Sequence, residues 1–147
     1  MEADPEVRRY VGGAPRSRED AERRFKKGLY RPAENRLWMS GTVYKPEGIH
    51  IGRCGVYPHF GAHGPIPGEG AIAFYLARAF GGRGLATEAG RVFVKFGFDE
   101  LHLSRLVTSI DTRNTASVRV IEKLGFQLER NEEGEFRSFY HYELKNQ

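Results

Sequence analysis

The sequence predicts an α/β domain built on a mixed sheet, and three stretches carry that prediction. Ala71–Ala77 (AIAFYLA) is apolar at nearly every position, as a strand covered on both faces requires. It runs into the glycine-rich Phe80–Arg91 (FGGRGLATEAGR), behind which Leu85, Ala89, Val92, Phe93 and Phe96 recur at helical spacing; Arg105–Ile110 (RLVTSI) then supplies a second strand. Strand, helix and strand in that order make a right-handed crossover between parallel neighbours. The turn signals Pro46-Glu47-Gly48 and Asn131-Glu132-Glu133-Gly134 predict a hairpin on either side of it.

Taken in order, the chain opens on a short stretch in which Val7, Tyr10 and Val11 can form one helical face, followed by the turn Gly12-Gly13-Ala14-Pro15. Ser17, with Glu19 and Asp20 behind it, opens a helix with Ala21, Phe25 and Leu29 on one side and Gly28 near its end. Leu37–Met39 with Val43-Tyr44 makes the outgoing arm of the first hairpin, and Ile49–Val56 the return arm. Pro58–Gly70 (PHFGAHGPIPGEG) reads as a loop. After the crossover helix, which runs from Leu85 to about Leu101, and the strand Arg105–Ile110, a polar turn leads into a helix with Val118, Ile121 and Leu124 on one face. Asn114 or Thr115 caps that helix and Gly125 closes it. Phe126–Arg130 and Phe136–Leu144 form the last hairpin.

At 147 residues the chain is expected to be one domain, 1–147, with a single core and no internal repeat. A net charge of +4 is compatible with a polyanionic small ligand and is weak support for nucleic acid. The local cluster Arg23, Arg24, Lys26 and Lys27 reads first as a solvated helix face. Cys54 stands alone, which excludes an internal disulfide and fits a reducing compartment. No apolar run reaches spanning length and the amino terminus is acidic and polar, so a cytoplasmic protein without membrane contact is expected. His59 and His63 sit four apart, but a Pro/Gly-rich segment cannot present them on one helix face, so no metal is expected.

The glycine loop is the stretch with chemistry in it. Without Cβ atoms, neighbouring N–H groups can crowd around a ligand, and the first turn of the helix behind them offers unpaired donors and a positive dipole end. Each such anion contact contributes about 0.3–1 kcal/mol when exposed and up to ~2 when partly buried. The same arrangement also occurs as a simple turn in α/β proteins with no ligand. Two better-known phosphate loops are excluded: no G-x-x-x-x-G-K-[ST] is present, and Gly82-Arg83-Gly84 is followed three residues later by Thr87, which breaks G-x-G-x-x-G.

Phe80–Ala89 (FGGRGLATEA) followed by Asn114–Phe126 (NTASVRVIEKLGF) resembles the GNAT superfamily of N-acetyltransferases, in the branch of the ribosomal-protein amino-terminal acetyltransferases. Asp4-Pro5-Glu6-Val7, Arg9-Tyr10 and Ile51–Gly55 fall in the family's order, so the resemblance covers nearly the whole chain. It implies a mostly antiparallel central sheet flanked by helices and an acetyl-CoA site. The backbone N–H groups of Gly82, Arg83, Gly84, Leu85, Ala86 and Thr87 would hold the pyrophosphate, and Phe74 and Leu76 would pair with the pantetheine arm. Asn114 would contact the cofactor, and Ser117 would protonate the departing thiolate or, as a first-turn residue, merely bond to backbone.

Three departures from the family pattern stand out. Gly81 occupies the loop's opening position, where a larger side chain is usual, and Ala71 stands where a Glu is frequent, leaving Glu69 as the nearest carboxylate. The chain also starts almost at the Asp4–Val7 segment, so a fold lacking the first strand and first helix is expected, with a sheet edge open to disorder or to a partner such as a second copy in a homodimer.

The expected chemistry is attack of a neutral amine on a thioester. An alkyl amine of pKa ~10.4 is neutral at pH 7 in about one molecule in 2500, a cost of roughly 4.6 kcal/mol, while an α-amine near pKa ~8 costs about 1.4. Glu69, through a water, is the candidate base, beside the alternative of a solvated loop carboxylate. Tyr75 and Tyr140 are fallback proton carriers or simply packed strand residues, and Cys54 is a buried strand residue rather than a nucleophile. The leading function is acetyl-CoA-dependent transfer to a primary amine of a small molecule or protein amino terminus. The alternatives are a CoA-binding module without catalysis and, weakest, an interaction or nucleic-acid-binding domain using the Arg23–Lys27 face.

Overall fold

The computed structural model describes residues 3–10, 16–29 and 39–147. Within them the elements run α1 (Pro5–Arg8), α2 (Arg18–Leu29), β1 (Met39–Tyr44), β2 (Ile49–Gly61), β3 (Gly64–Leu76), α3 (Leu85–Lys95), β4 (Arg105–Asp111), α4 (Thr115–Lys123), β5 (Gln127–Glu132) and β6 (Phe139–Lys145). The strands form one six-stranded sheet in the order β1-β2-β3-β4-β6-β5. Every neighbouring pair is antiparallel except β3 and β4, which are parallel and joined through α3.

The capping chemistry read from the sequence is in place. The Ser17 hydroxyl accepts from the Asp20 N–H at 3.1 Å ahead of α2, and Asn114 Oδ1 accepts from the Ser117 N–H at 3.3 Å ahead of α4. Gly125 closes α4 with φ +90°. The crossover helix is α-helical to Lys95 and then widens into a π-turn over Phe96–Glu100, whose end is marked by the Leu101 N–H to Phe96 carbonyl bond of 3.1 Å. The expected turn at Gly12–Pro15 and the outgoing residues Leu37-Trp38 lie outside the described residues. So do the side chains of Arg24, Phe25, Lys27 and Leu29; of the basic cluster, Arg23 and Lys26 are exposed and Arg23 pairs with Asp20.

One expectation needs correction. The stretch 58–70 is not a loop: β2 continues to Gly61 and β3 begins at Gly64, so the two strands form a long hairpin around Ala62-His63. Pro58 sits beside the irregularity between Pro58 and Phe60, and Pro65 and Pro67 precede the point where β3 acquires β4 as a neighbour at Glu69. A residue without an N–H is tolerated where the strand has an unpaired side.

The core lies between the sheet and the helices α3 and α4. Val56, Ile72, Leu106, Ile110 and Tyr142 project from successive strands to meet Ile121 of α4, Leu103 and Phe126, with Phe93 and Val94 of α3 packed against the cluster. Ile72, Leu106 and Ile121 are fully buried, each contributing about 1.5–3 kcal/mol of transfer free energy. Because successive strand residues alternate faces, Glu69, Ala71, Ala73 and Tyr75 of β3 and Arg105, Val107 and Ser109 of β4 lie on the opposite face.

Candidate functional site

The parallel register of β3 and β4 is short: Glu69 pairs with Arg105, Gly70 with Leu106 and Ala71 with Val107, and there it ends. Beyond Ala71 and Val107 the strands part. Phe74 and Leu76 stay paired to β2, through Cys54 and Gly52, and among the described residues they have no strand neighbour on the β4 side. Main-chain groups along that edge are therefore open to a ligand that can add itself to the sheet.

The parting opens into a cleft of about 600 Å³. Ala73–Leu76 form one wall and Thr108–Asp111 the other, with the glycine loop at one end and α4 along one side. Glu6 and Val7 of α1, and Tyr10 just past its end, also line it. Arg78, Arg119 and Lys123 supply positive charge; among the described residues lining the cleft the carboxylates are Glu6 and Asp111.

At the loop, Gly82 and Gly84 have φ of +71° and +77°, and a Cβ built on either would meet no atom within 4 Å. The space beside the backbone is open at both. Gly84 is the N-cap of α3 and no side chain among the described residues caps the helix, so the first-turn N–H groups remain available to an anion. Gly82, Gly84, Ala86 and Thr87 line the cleft, and Thr87 is buried. The Arg83 side chain turns away to β1, where it donates to Tyr44 Oη at 2.7 Å and stacks 4.7 Å from the Tyr44 ring and 5.3 Å from that of Phe80. Sequence reasoning gave Arg83 only a backbone role; a contact across 39 residues leaves no local trace.

Asn114 and Ser117 both line the cleft from the start of α4. Asn114 Oδ1 is engaged by the Ser117 N–H, which leaves the amide Nδ2 as its remaining donor group. Asp111, at the end of β4, is 2 % exposed and accepts from the Arg113 N–H at 3.0 Å, from Arg113 Nε and Nη2 at 2.9 and 2.7 Å, and from Arg137 Nε at 3.0 Å. The Arg113 guanidinium above all holds its carboxyl well below the usual carboxylate range. Arg137 also donates to the Tyr10 carbonyl, so one guanidinium ties the turn after α1 to the end of β4.

Glu69 is not among the residues lining the cleft. It lies two residues before the parting and accepts from Arg105 Nη1 at 3.1 and 3.2 Å, with His59 Nδ1 at 2.7 Å. Burial works against its charge, but the bonds from His59 and Arg105 outweigh that and leave its carboxyl below the ordinary range. A carboxylate so occupied is a weak proton acceptor. Tyr75 lines the cleft beneath Arg53, whose guanidinium carbon is 4.8 Å from the ring centre; Tyr140 packs edge-on against Tyr142 at 6.4 Å and is not among the cleft residues. Cys54 is fully buried, and burial pushes its thiol up to about 12.

Against known proteins, residues 1–127 match the family model described as Acetyltransferase (GNAT) domain. The uncharacterised protein YkkB of Bacillus subtilis is 32 % identical over 127 residues, covering 83 % of this chain and 69 % of that one. Among solved structures, a GNAT-family acetyltransferase from Bacillus anthracis superposes with a TM-score of 0.82 at 23 % identity, covering 98 % of this chain and 84 % of that one. A spermidine N-acetyltransferase from Vibrio cholerae, solved in complex with CoA and spermine, superposes at 0.80 with 15 % identity, covering 99 % of this chain and 85 % of that one. At those identities the two structures share the fold.

Proposed function

The chain belongs to the GNAT acetyltransferase family, and on that footing we propose that it moves the acetyl group of acetyl-CoA directly onto a primary amine of a small molecule or a protein amino terminus. The observation that carries this reading is the end of the β3/β4 register at Ala71 and Val107, which opens an edge of free main-chain groups leading to an uncapped helix start.

The residues present fit CoA. The N–H groups of Gly82 to Thr87 would take the pyrophosphate, with open space beside Gly82 and Gly84 for its oxygens and Arg78, Arg119 and Lys123 nearby for its charge. The free edge of Phe74 and Leu76 would pair with the amide-bearing arm, and the Asn114 amide would donate to it. Bound there, acetyl-CoA supplies an activated acyl thioester. Ser117 would donate its hydroxyl proton to the leaving sulfur, and the segment 6–10, with Glu6 and Tyr10 on the cleft wall, would face the incoming amine. Glu69 fixes the start of the parallel pairing through Arg105 in this scheme, and another group receives the amine's proton.

Release of free thiol from acetyl-CoA in the presence of a panel of amines tests the reading, the panel including a polyamine and a peptide with a free amino terminus. Turnover on at least one amine, with CoA affinity measured by calorimetry, is the expected result. Affinity without turnover on any amine favours a CoA-binding module, and absence of affinity removes the reading.

A further inference from the structure

Ser109 and His141 stand directly opposite each other across the antiparallel β4/β6 ladder, on the sheet face turned away from α3 and α4. Ser109 Oγ lies 2.8 Å from His141 Nδ1, and His141 Nε2 lies 2.8 Å from Glu132 Oε2. An ionised carboxylate can only accept, so the neutral form of this imidazole carries its proton at Nε2. Nδ1 then presents its lone pair, and the Ser109 hydroxyl donates to it.

The position of Ser109 gives this chain of bonds its meaning. It lies two residues past Val107, on the cleft wall where β3 and β4 have parted, and it also lines a smaller cavity that contains His141. Hydroxyl, imidazole and carboxylate thus run outward from the cleft. The His141 side chain is 16 % exposed and that of Glu132 59 %, so the outer end of the chain reaches water.

We propose that Ser109, His141 and Glu132 form the relay that accepts the proton of the acceptor amine, with Ser109 touching the amine and His141 taking the proton through it. The inference rests on the acetyl-transfer reading above. In the step, the amine nitrogen bonds to the thioester carbonyl carbon and the carbon–sulfur bond breaks. One N–H proton passes to Ser109 Oγ as that oxygen's own proton moves to His141 Nδ1, and Glu132 stabilises the imidazolium until it returns the proton to solvent. The sulfur takes the Ser117 proton, which solvent replaces, so amine and thioester become amide and thiol. The charged groups around the imidazole are Glu129, Arg130 and Glu132 of β5, Arg105 of β4, His59 of β2 and, two residues along its own strand, Glu143. Arg105 pairs with Glu129 and Glu143, and Arg130 with Glu129 and Glu132, so Glu132 is the carboxylate that reaches the ring.

Two measurements decide it. Side-chain nitrogen NMR of the ligand-free protein is expected to show His141 as the Nε2–H tautomer, with the Nδ1 resonance moving in Ser109→Ala. An Nδ1–H tautomer overturns the relay whatever the turnover. In the thiol-release assay, His141→Gln and Ser109→Ala are expected to lower kcat by roughly 100-fold with CoA affinity kept. His141→Gln should also erase the imidazole limb of the pH–rate profile. Glu132→Gln, which changes least in the fold, should shift that limb and slow turnover. A His141→Gln enzyme that keeps both rate and limb overturns the proposal, as does acetyl trapped on Ser109 with acetyl-CoA and no amine, which would make Ser109 a nucleophile. A wild-type protein that turns over no amine counts against acetyl transfer itself, while the tautomer still reports on the relay.

Discussion

Ala71 and Val107 are the last residues that face each other across β3 and β4, and everything placed at the site follows from where that pairing stops. A parallel pair that continued to Tyr75 and Asp111 would consume the main-chain groups of both strands and leave no cleft. By parting after three matched positions, the sheet keeps its core on the α3/α4 face and exposes an edge beside the glycine loop.

The first prediction concerns that loop. Gly84→Val should abolish measurable CoA binding, because the added side chain would occupy the open space beside the α3 N-terminus. Its φ of +77° adds a backbone cost of about 1–2 kcal/mol for a residue with a Cβ, so a modest fall in thermal stability should accompany the loss. Calorimetry with CoA and a melting curve check both; undiminished affinity would contradict the anion-site assignment.

The second concerns Ser117. Its main-chain N–H carries the bond to Asn114 Oδ1, so Ser117→Ala keeps the α4 cap and removes only the hydroxyl. kcat should fall with CoA affinity nearly intact. Asn114→Ala, by contrast, removes the cap and should cost about 1 kcal/mol of stability along with affinity. An unchanged rate in Ser117→Ala would take the hydroxyl out of the mechanism.

These loop and helix-start residues were legible because their signals are local: glycines before an amphipathic run, and Asn three residues ahead of Ser117. The hairpin at 58–70 was not, because Pro58, Pro65 and Pro67 read as breakers until one knows that β3 has no β4 neighbour before Glu69. The reading of Glu69 as base took no account of Arg105 and His59, which reach its carboxylate from 36 and 10 residues away. Ser109, His141 and Glu132 come together only through the β4/β6 and β5/β6 registers, and nothing in the spacing of three such residues announces a register.

The third prediction is a pH dependence of stability. Asp111 has its carboxyl depressed in the folded state by Arg113 and then Arg137, so its contribution is present above the unfolded carboxylate value and is lost as pH falls toward the folded one. Stability should therefore decline below about pH 4, and Asp111→Asn should flatten that acid limb. At neutral pH the variant should lose about 2–3 kcal/mol, below the range for a fully buried pair because Arg113 is largely solvent-exposed. Urea unfolding across pH checks it; an acid limb as steep as in the wild type would place the linkage elsewhere.

The fourth joins stability to the site. Gly52 lies opposite Leu76 in the β2/β3 register, and a Cβ there would fall 2.0 Å from the Tyr75 carbonyl oxygen and 2.9 Å from Leu76 Cα. Both obstacles are backbone, so no side-chain rotation relieves them, and Gly52→Ala must push β3 away from β2 just where β3 borders the cleft. The expected cost is about 1–3 kcal/mol, as for other overpacked positions. Because the displaced residues are those whose free edge would hold the pantetheine arm, CoA affinity should fall together with stability. Urea titration alongside calorimetry separates the two effects, and a destabilised variant that binds CoA as tightly as the wild type would mean that the Tyr75–Leu76 backbone takes no part in holding it.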